Sequence, residues 1–243
     1  MDNYYNVEHV IDQVLGTLYN EKGLKTILIE LLSDVNRFIS HKPTLIALGG
    51  IPGVGKSTYS IKYYKDKFFI INPDDYRQFY PNYSSLNTSS LIVETNELST
   101  KISELLFKVL IKLSCNIVIE CTFANYKYWQ EFLKSDNVYL GKYSKILIYL
   151  SAPLDVCYQS MCCRYKTESQ NMKGIIPRPV AKDFLYDRAS RIEESVAKYV
   201  ASNLFNEIIF MYKDTMRSEF VQISYNEYLV LINEYKTRYN EII

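Results

Sequence analysis

The chain has 243 residues, 28 basic against 27 acidic side chains for a net charge of +1, and 48% hydrophobic residues. That length suits one α/β domain with short additions, and the apolar fraction is enough for a sizeable core. The near-balanced charge argues against a large nucleic-acid groove, which usually makes a domain strongly basic, although it leaves room for a local basic pocket.

Residues 4–39 predict helix, because Val7, Val10, Ile11, Val14, Leu15 and Leu18 recur at helical spacing. Asn20–Gly23 breaks the pattern and Leu24–Ile39 resumes it, until Pro43 biases Lys42 away from helix. Leu45–Gly49 predicts the first buried strand, Ser57–Lys65 a short helix, and Phe68–Ile71 the second strand. Asn72-Pro73-Asp74-Asp75 ends that strand, Tyr76–Pro81 reads as a short helix or turn, and Tyr83–Ser89 as a polar loop. Ser90–Leu113 predicts a long amphipathic helix with Leu98, Ile102, Leu105, Val109 and Leu113 on one face. Its other faces carry Glu97 with Lys101 and Glu104 with Lys108, spaced as i,i+4 ion pairs. Asn116–Glu120 predicts the third strand, Asn125–Lys134 a helix, Lys145–Leu150 the fourth strand and Leu154–Tyr165 a helix. Lys166–Val180 is polar, contains Gly174, Pro177 and Pro179, and reads as a mobile loop. Ala181–Val200 predicts helix, Glu207–Met211 a fifth strand, Phe220–Ile223 a sixth, and Tyr225–Tyr239 a last helix.

Strands alternating with helices imply a three-layer α/β sandwich with a five- to six-stranded, mainly parallel sheet covered on both faces. We expect a single domain over 1–243: a helical extension at 1–42, a core at 43–213 and a C-terminal strand and helix at 214–243.

The chemistry centres on Gly49-Gly50-Ile51-Pro52-Gly53-Val54-Gly55-Lys56-Ser57-Thr58, which lies between a strand and a helix. This is the G-x-x-x-x-G-K-S/T pattern of a phosphate-binding loop in its required context. Glycines let backbone N–H groups converge on a phosphate, and the helix N-terminus adds its positive end. Gly50, Ile51, Pro52, Gly53, Val54, Gly55, Lys56, Ser57 and Thr58 are therefore the expected nucleotide-binding residues. Lys56 would reach the β- and γ-phosphates, and Ser57 would ligate Mg²⁺. Sites in such sheets lie at the carboxyl ends of the strands, which selects Asp74, Asp75, Glu120 and Thr122. Phosphoryl transfer to a hydroxyl needs a carboxylate that orients the nucleophile. Asp74 is favoured for that role, with Asp75 the competitor and helix N-capping the bland alternative for either. Glu120 would hold Mg²⁺ through water or bind substrate, while Glu104, taken alone, is a surface ion-pair residue. Arg164, Lys166, Arg178, Arg188 and Arg191 flank or follow the mobile loop, either as a lid over the transferring phosphate or as a solvated basic face.

Cys115, Cys121, Cys157, Cys162 and Cys163 lack metal-site spacing, and His9 and His41 are the two histidines, so reduced cytosolic thiols are expected. No signal peptide or membrane span is visible, which points to a cytoplasmic protein away from membranes.

These features together resemble the zeta toxin family of P-loop kinases. The resemblance runs over roughly residues 43 to 185. It rests on the glycine loop, Ile71-Asn72-Pro73-Asp74-Asp75-Tyr76-Arg77, Tyr80-Pro81-Asn82-Tyr83, Lys101-Ile102-Ser103-Glu104, Val118-Ile119-Glu120-Cys121-Thr122, and Arg164-Tyr165 followed by Arg178. It implies a P-loop kinase-type fold, ATP and Mg²⁺ as cofactors, transfer to the 3′-hydroxyl of the amino sugar of UDP-N-acetylglucosamine, and an antitoxin partner. By resemblance, Lys56 binds ATP phosphates, Ser57 holds Mg²⁺ and Asp74 is the base, Glu104, Glu120 and Thr122 contact the sugar nucleotide, and Arg164 and Arg178 clamp the transferring phosphate. Two positions depart from the family pattern: Cys121 replaces a usual Gly, and Ala124 a common basic residue that Lys127 could supply instead. Both fall in the acceptor half, so another hydroxyl acceptor, such as a nucleoside, NAD or an antibiotic, stays open. An NTP-hydrolysing switch is a third reading, disfavoured because such switches more often carry Asp where Glu120 stands.

Overall fold

The computed structural model describes residues 6–16, 23–88, 90–171, 176–178 and 182–240. Six strands form one sheet: β1 (Thr44–Gly49), β2 (Phe69–Ile71), β3 (Ile117–Glu120), β4 (Ser144–Ser151), β5 (Glu207–Tyr212) and β6 (Val221–Ile223). Their spatial order is β2-β3-β1-β4-β5-β6, parallel throughout except for the β5–β6 pair. The chain order therefore reverses at β1, whose neighbours are β3 and β4. That switch point leaves a crevice at the carboxyl end of β1.

The helices are α1 (Val7–Leu15), α2 (Leu24–Leu31), α3 (Lys56–Tyr64), α4 (Leu91–Lys112), α5 (Tyr126–Ser135), α6 (Asn137–Leu140), α7 (Leu154–Asn171), α8 (Lys182–Ala201) and α9 (Tyr225–Asn240). The period-two alternation of β1 explains the two layers. Leu45 and Ala47 join a core with Ile11, Leu28 and residues of α4 and α5, while Ile46 and Leu48 join a second core with Val54 and residues of α7, α8 and α9. Local capping agrees with these boundaries. Asn6 accepts from the His9 N–H at the start of α1, Asn125 accepts from Tyr128 N–H at α5, and Ser224 and Glu227 form a reciprocal capping box at α9.

Several expectations are corrected. The helix expected through Ile39 ends at Leu31, and Val35–Phe38 is a 3₁₀ turn that hands Ile39 to a bridge with Cys115. Tightened i→i+3 bonds such as Ser33 N–H to Glu30 O end the α-helix there. The turn after β2 starts earlier than Tyr76, as a 3₁₀ helix over Pro73–Phe79, and short helices at Tyr83–Ser85 and α6 lie where none was expected. The helix expected to stop at Tyr165 runs to Asn171, so residues 166–171 are not loop. Its polar stretch keeps its hydroxyls within the helix, Thr167 and Ser169 donating to carbonyls one turn back, and its inward face is held by the buried Glu168, which pairs with Arg178. The expectations for residues 4–5, Leu18, Asn20, Gly174 and Pro179 fall outside the described residues. The five cysteines are free thiols, and no described helix is long and apolar enough to cross a membrane.

Candidate active site

The glycine loop leaves β1 and enters α3 under tight steric control. At Gly53, with φ of 81°, a Cβ would lie 2.2 Å from the Cys157 carbonyl oxygen on α7. Only glycine permits that approach, so the loop is seated directly on α7. Gly55 precedes α3 with no side-chain cap, leaving the first N–H groups of the helix available to an anion. The Lys56 ammonium is folded over the loop, donating to Gly50 O at 2.8 Å and Ile51 O at 3.2 Å. Burial pushes its pKa down, and the charges of Glu120 and Asp74 oppose that shift. Ser57 Oγ, on the exposed side of the helix start, donates to Glu120 Oε2 at 2.7 Å, and the buried Ser60 Oγ donates to Glu120 Oε1. Glu120 is only 4% exposed, so these hydroxyls stabilise a carboxylate at the foot of the loop. Thr58 is exposed on α3, and Ile51, Pro52 and Val54 line the turn between the glycines.

Asp74 and Asp75 sit in the first turn of the 3₁₀ helix, which Asn72 caps by accepting from the Asp74 N–H. Neither aspartate is therefore the cap. Asp74 Oδ1 accepts from Arg77 Nε at 2.9 Å, and Oδ2 from an Arg178 terminal nitrogen at 3.1 Å. Burial alone would raise its pKa, but Arg77 and Arg178 outweigh burial and hold it below the usual carboxylate range. Asp75 behaves oppositely. Burial and the neighbouring charges of Glu120 and Asp74 push it up to about 6.

Arg77 is buried and is fixed in turn by Thr95 on α4, whose hydroxyl accepts at 2.9 Å and donates to Leu91 O at 2.6 Å. Arg178 is fixed by Glu168 on α7: its Nη2 donates at 2.6 Å, its Nε at 3.1 Å and its backbone N–H at 2.9 Å. Arg164, one helical turn before Glu168, lies 3.8 Å from the same carboxylate, and its Nε is buried without a hydrogen-bond acceptor. Desolvation and the nearby Arg178 charge lower its pKa. An anion arriving between Arg164 and Arg178 would relieve both effects.

On the other flank, Thr122 follows Glu120 in a partly exposed segment, and Phe123 has a left-handed φ of 54°. Phe123 keeps that strained conformation by stacking on Trp129 with ring centroids 4.3 Å apart. Glu104 Oε1 accepts from Tyr128 Oη at 2.8 Å, which ties α4 to α5 near Cys121 instead of leaving Glu104 as a simple surface residue. Of the other cations that the sequence offers for a lid or a solvated basic face, Lys166 is exposed, Arg191 pairs with Asp187 at 2.7 Å, and Arg188 lies 4.9 Å over the Phe184 ring, all along α7 and α8.

Sequence reasoning thus named most of the cluster but missed Arg77, Thr95, Glu168 and Tyr128 as supporting residues. Glu168 has one usable signal, its i,i+4 spacing from Arg164, which counts only in a helix that runs past Tyr165. Among the described residues, no cluster of His, Cys, Asp or Glu is disposed to hold a metal unaided. The Ser57 hydroxyl, backed by Glu120, fits Mg²⁺ only as one oxygen ligand among phosphate oxygens, the usual protein share for this ion.

The zeta toxin family profile matches residues 30–225. No curated protein sequence matches the chain. A solved structure from the PezAT chromosomal toxin–antitoxin system of Streptococcus pneumoniae superposes with a TM-score of 0.67 at 20% identity, over 93% of this chain and 98% of that one. A structure of AvrRxo1-ORF1:AvrRxo1-ORF2 with sulphate ions superposes with a TM-score of 0.54 at 17% identity, over 89% of this chain and 65% of that one. The same pair solved with ATP gives a TM-score of 0.50 at 17% identity, over the same shares. At such identities these structures speak to the fold, and they share the α/β architecture described above. With its family profile spanning far more than half of the 243 residues, the chain belongs to the zeta toxin family.

Proposed function

We propose that the protein is an ATP- and Mg²⁺-dependent kinase that transfers the γ-phosphate to the 3′-hydroxyl of the amino sugar of UDP-N-acetylglucosamine. The observation that supports it best is the chain of contacts from the phosphate loop to the lid. Ser57 meets Glu120, the charges of Glu120 and Asp74 both act on Lys56, and Asp74 meets Arg178, which Glu168 holds next to Arg164. A carboxylate between a phosphate loop and two arginines is what in-line transfer to an alcohol requires.

In this reading Lys56 leaves the Gly50 and Ile51 carbonyls for the β- and γ-phosphates. Mg²⁺, when bound, neutralises phosphate charge. Arg164 and Arg178 bear on the transferring group, where charge is spread in the transition state. Asp74 Oδ2, released by Arg178, orients the acceptor hydroxyl and receives its proton. Arg77 stays on Oδ1 and still favours the carboxylate form, which suits a loose transition state in which the hydroxyl loses its proton late, after bond formation has acidified it. Glu104 and Thr122 are assigned to the sugar nucleotide, and Tyr128 positions Glu104. The PezAT relative comes from a toxin–antitoxin system, and by analogy we assign an antitoxin as protein partner.

A second acceptor remains in view for a specific reason. Ala124, where the family commonly has a basic residue, is packed partly against the second core and its carbonyl accepts from Ser195 Oγ at 2.7 Å, so it offers the acceptor no charge. The test is incubation with ATP, Mg²⁺ and a panel of UDP-sugars, nucleosides, NAD and an aminoglycoside, read by mass spectrometry. A single added phosphoryl group on UDP-N-acetylglucosamine is expected. Phosphorylation of another panel member with that compound untouched contradicts the assignment, and hydrolysis with no acceptor modified favours a switch.

A further inference from the structure

Lys213 is placed where none of the roles above uses it. It follows β5, and its backbone N–H donates to Ser151 O at the end of β4. Its side chain turns back toward the phosphate loop, so that a Cβ built on Gly55 would meet Lys213 Nζ at 3.2 Å. Gly55 is the residue immediately before α3, at a φ of 105° that favours glycine, so this ammonium stands before the open N-terminus of α3.

The residue is only 8% exposed. Among the described residues no carboxylate or other hydrogen-bond acceptor meets Nζ. Its ammonium lies 5.0 Å from the Phe220 ring centroid, and burial lowers its pKa. A cation with little access to water and no counter-ion is costly, and a phosphate would supply the missing charge. Lys56 differs, since two carbonyls already accept from it. Sheet order adds direction. Asp74 and Glu120 come from the β2–β3 side of the loop, whereas Lys213 comes from the β4–β5 side. Phe220, beside it, packs edge-on against Tyr59 at 5.5 Å, an aromatic surface on that same flank.

We propose that Lys213 is a second phosphate-binding residue of the nucleotide site, contacting the non-transferred phosphates of the donor from the side opposite the acceptor. This rests on the reading of the loop as a nucleotide site. Lys213 takes no part in transfer itself. It holds the part of the donor that remains as nucleoside diphosphate, and so acts on ADP as much as on ATP.

The test is calorimetric titration of ADP and of ATP with Mg²⁺ into the wild-type chain, Lys213→Met, Lys213→Arg and Lys56→Ala. The Met variant keeps the apolar stem against Phe220 and removes the charge. About a tenfold weaker affinity is expected for both nucleotides in Lys213→Met, which corresponds to about 1.4 kcal/mol, with most of it recovered in Lys213→Arg. Without nucleotide, Lys213→Met should melt no lower than wild type, because the desolvation of the ammonium offsets what its contact with the Phe220 ring contributes. A melting point well below wild type with ADP affinity kept in Lys213→Arg and Lys213→Met alike would show a structural role and overturn the proposal. So would unchanged ADP affinity in Lys213→Met while Lys56→Ala loses binding. If the wild type binds neither nucleotide, the underlying reading of the loop fails first, which is a different result.

Discussion

Asp74 and Asp75 are chain neighbours whose carboxyl groups titrate in opposite directions, and their surroundings account for it. Asp74 faces two guanidinium groups, whereas Asp75 faces Glu120 and Asp74 itself. The folded-state value of Asp75, about 6, lies above its ordinary 3.8, so its protonated form favours the folded state. The stabilisation is present below the ordinary value and is lost as pH rises through about 6. Asp75→Asn, fixed in the neutral form, should therefore melt above wild type at pH 7.5, with the difference gone by pH 4 in a fluorimetric thermal scan. Equal melting points at pH 7.5 would show that Asp75 is not strained by its neighbours. Asp74 has the reverse sign: its stabilisation exists above the ordinary value and disappears as pH falls through its lowered one. Lys56→Ala should lower transfer by at least about 10²- to 10³-fold, the usual cost of removing one donor aimed at developing charge. Single-turnover assays with saturating acceptor would check this.

At the level of elements, α7 does more than the sequence indicates. Its first turns carry Cys157, on which Gly53 is seated, and its last turns carry Glu168, which holds Arg178. One helix thus links the glycine loop to Arg178. The sequence made the loop, the strands and the site's charged residues legible, because glycine spacing and buried Ile, Val and Leu runs are local signals. It did not make the Asp74–Arg178–Glu168 connection legible. That link joins residues 104 positions apart, and its anchor sits in a stretch whose hydroxyl and charged residues resemble a loop until their bonds to the preceding turn are seen. Arg77 was hidden for a related reason: its partner Thr95 lies on another element. Glu168→Ala removes a carboxylate whose side chain is 10% exposed and leaves Arg178 without its anchor. A loss of about 2 kcal/mol in denaturant stability is expected, together with a clear fall in kcat, whereas ADP affinity should hold. A variant with normal kcat would detach α7 from the lid.

For the whole molecule, the N-terminal helices belong to the fold that carries the site. Ile11 and Leu28 are fully buried in the same core as Leu106 and Leu110 of α4, the helix that also holds Thr95 and Glu104. Ile11→Ala should therefore cost about 2–5 kcal/mol, the range for a large-to-small change in a packed core. Chemical denaturation would measure it, and a cost under about 0.5 kcal/mol, as for a surface substitution, would contradict this packing.

The account turns on Asp74 as the group that receives the acceptor proton while the phosphate loop holds the donor. Asp74→Asn and Asp75→Asn, each assayed with ATP, Mg²⁺ and UDP-N-acetylglucosamine by mass spectrometry, with ADP affinity measured in parallel, test it most directly. Asp74→Asn should bind ADP within about threefold of wild type and lose transfer by about 10²- to 10⁴-fold, while Asp75→Asn keeps most of its turnover. Near wild-type transfer by Asp74→Asn, with the loss appearing in Asp75→Asn instead, would contradict the assignment.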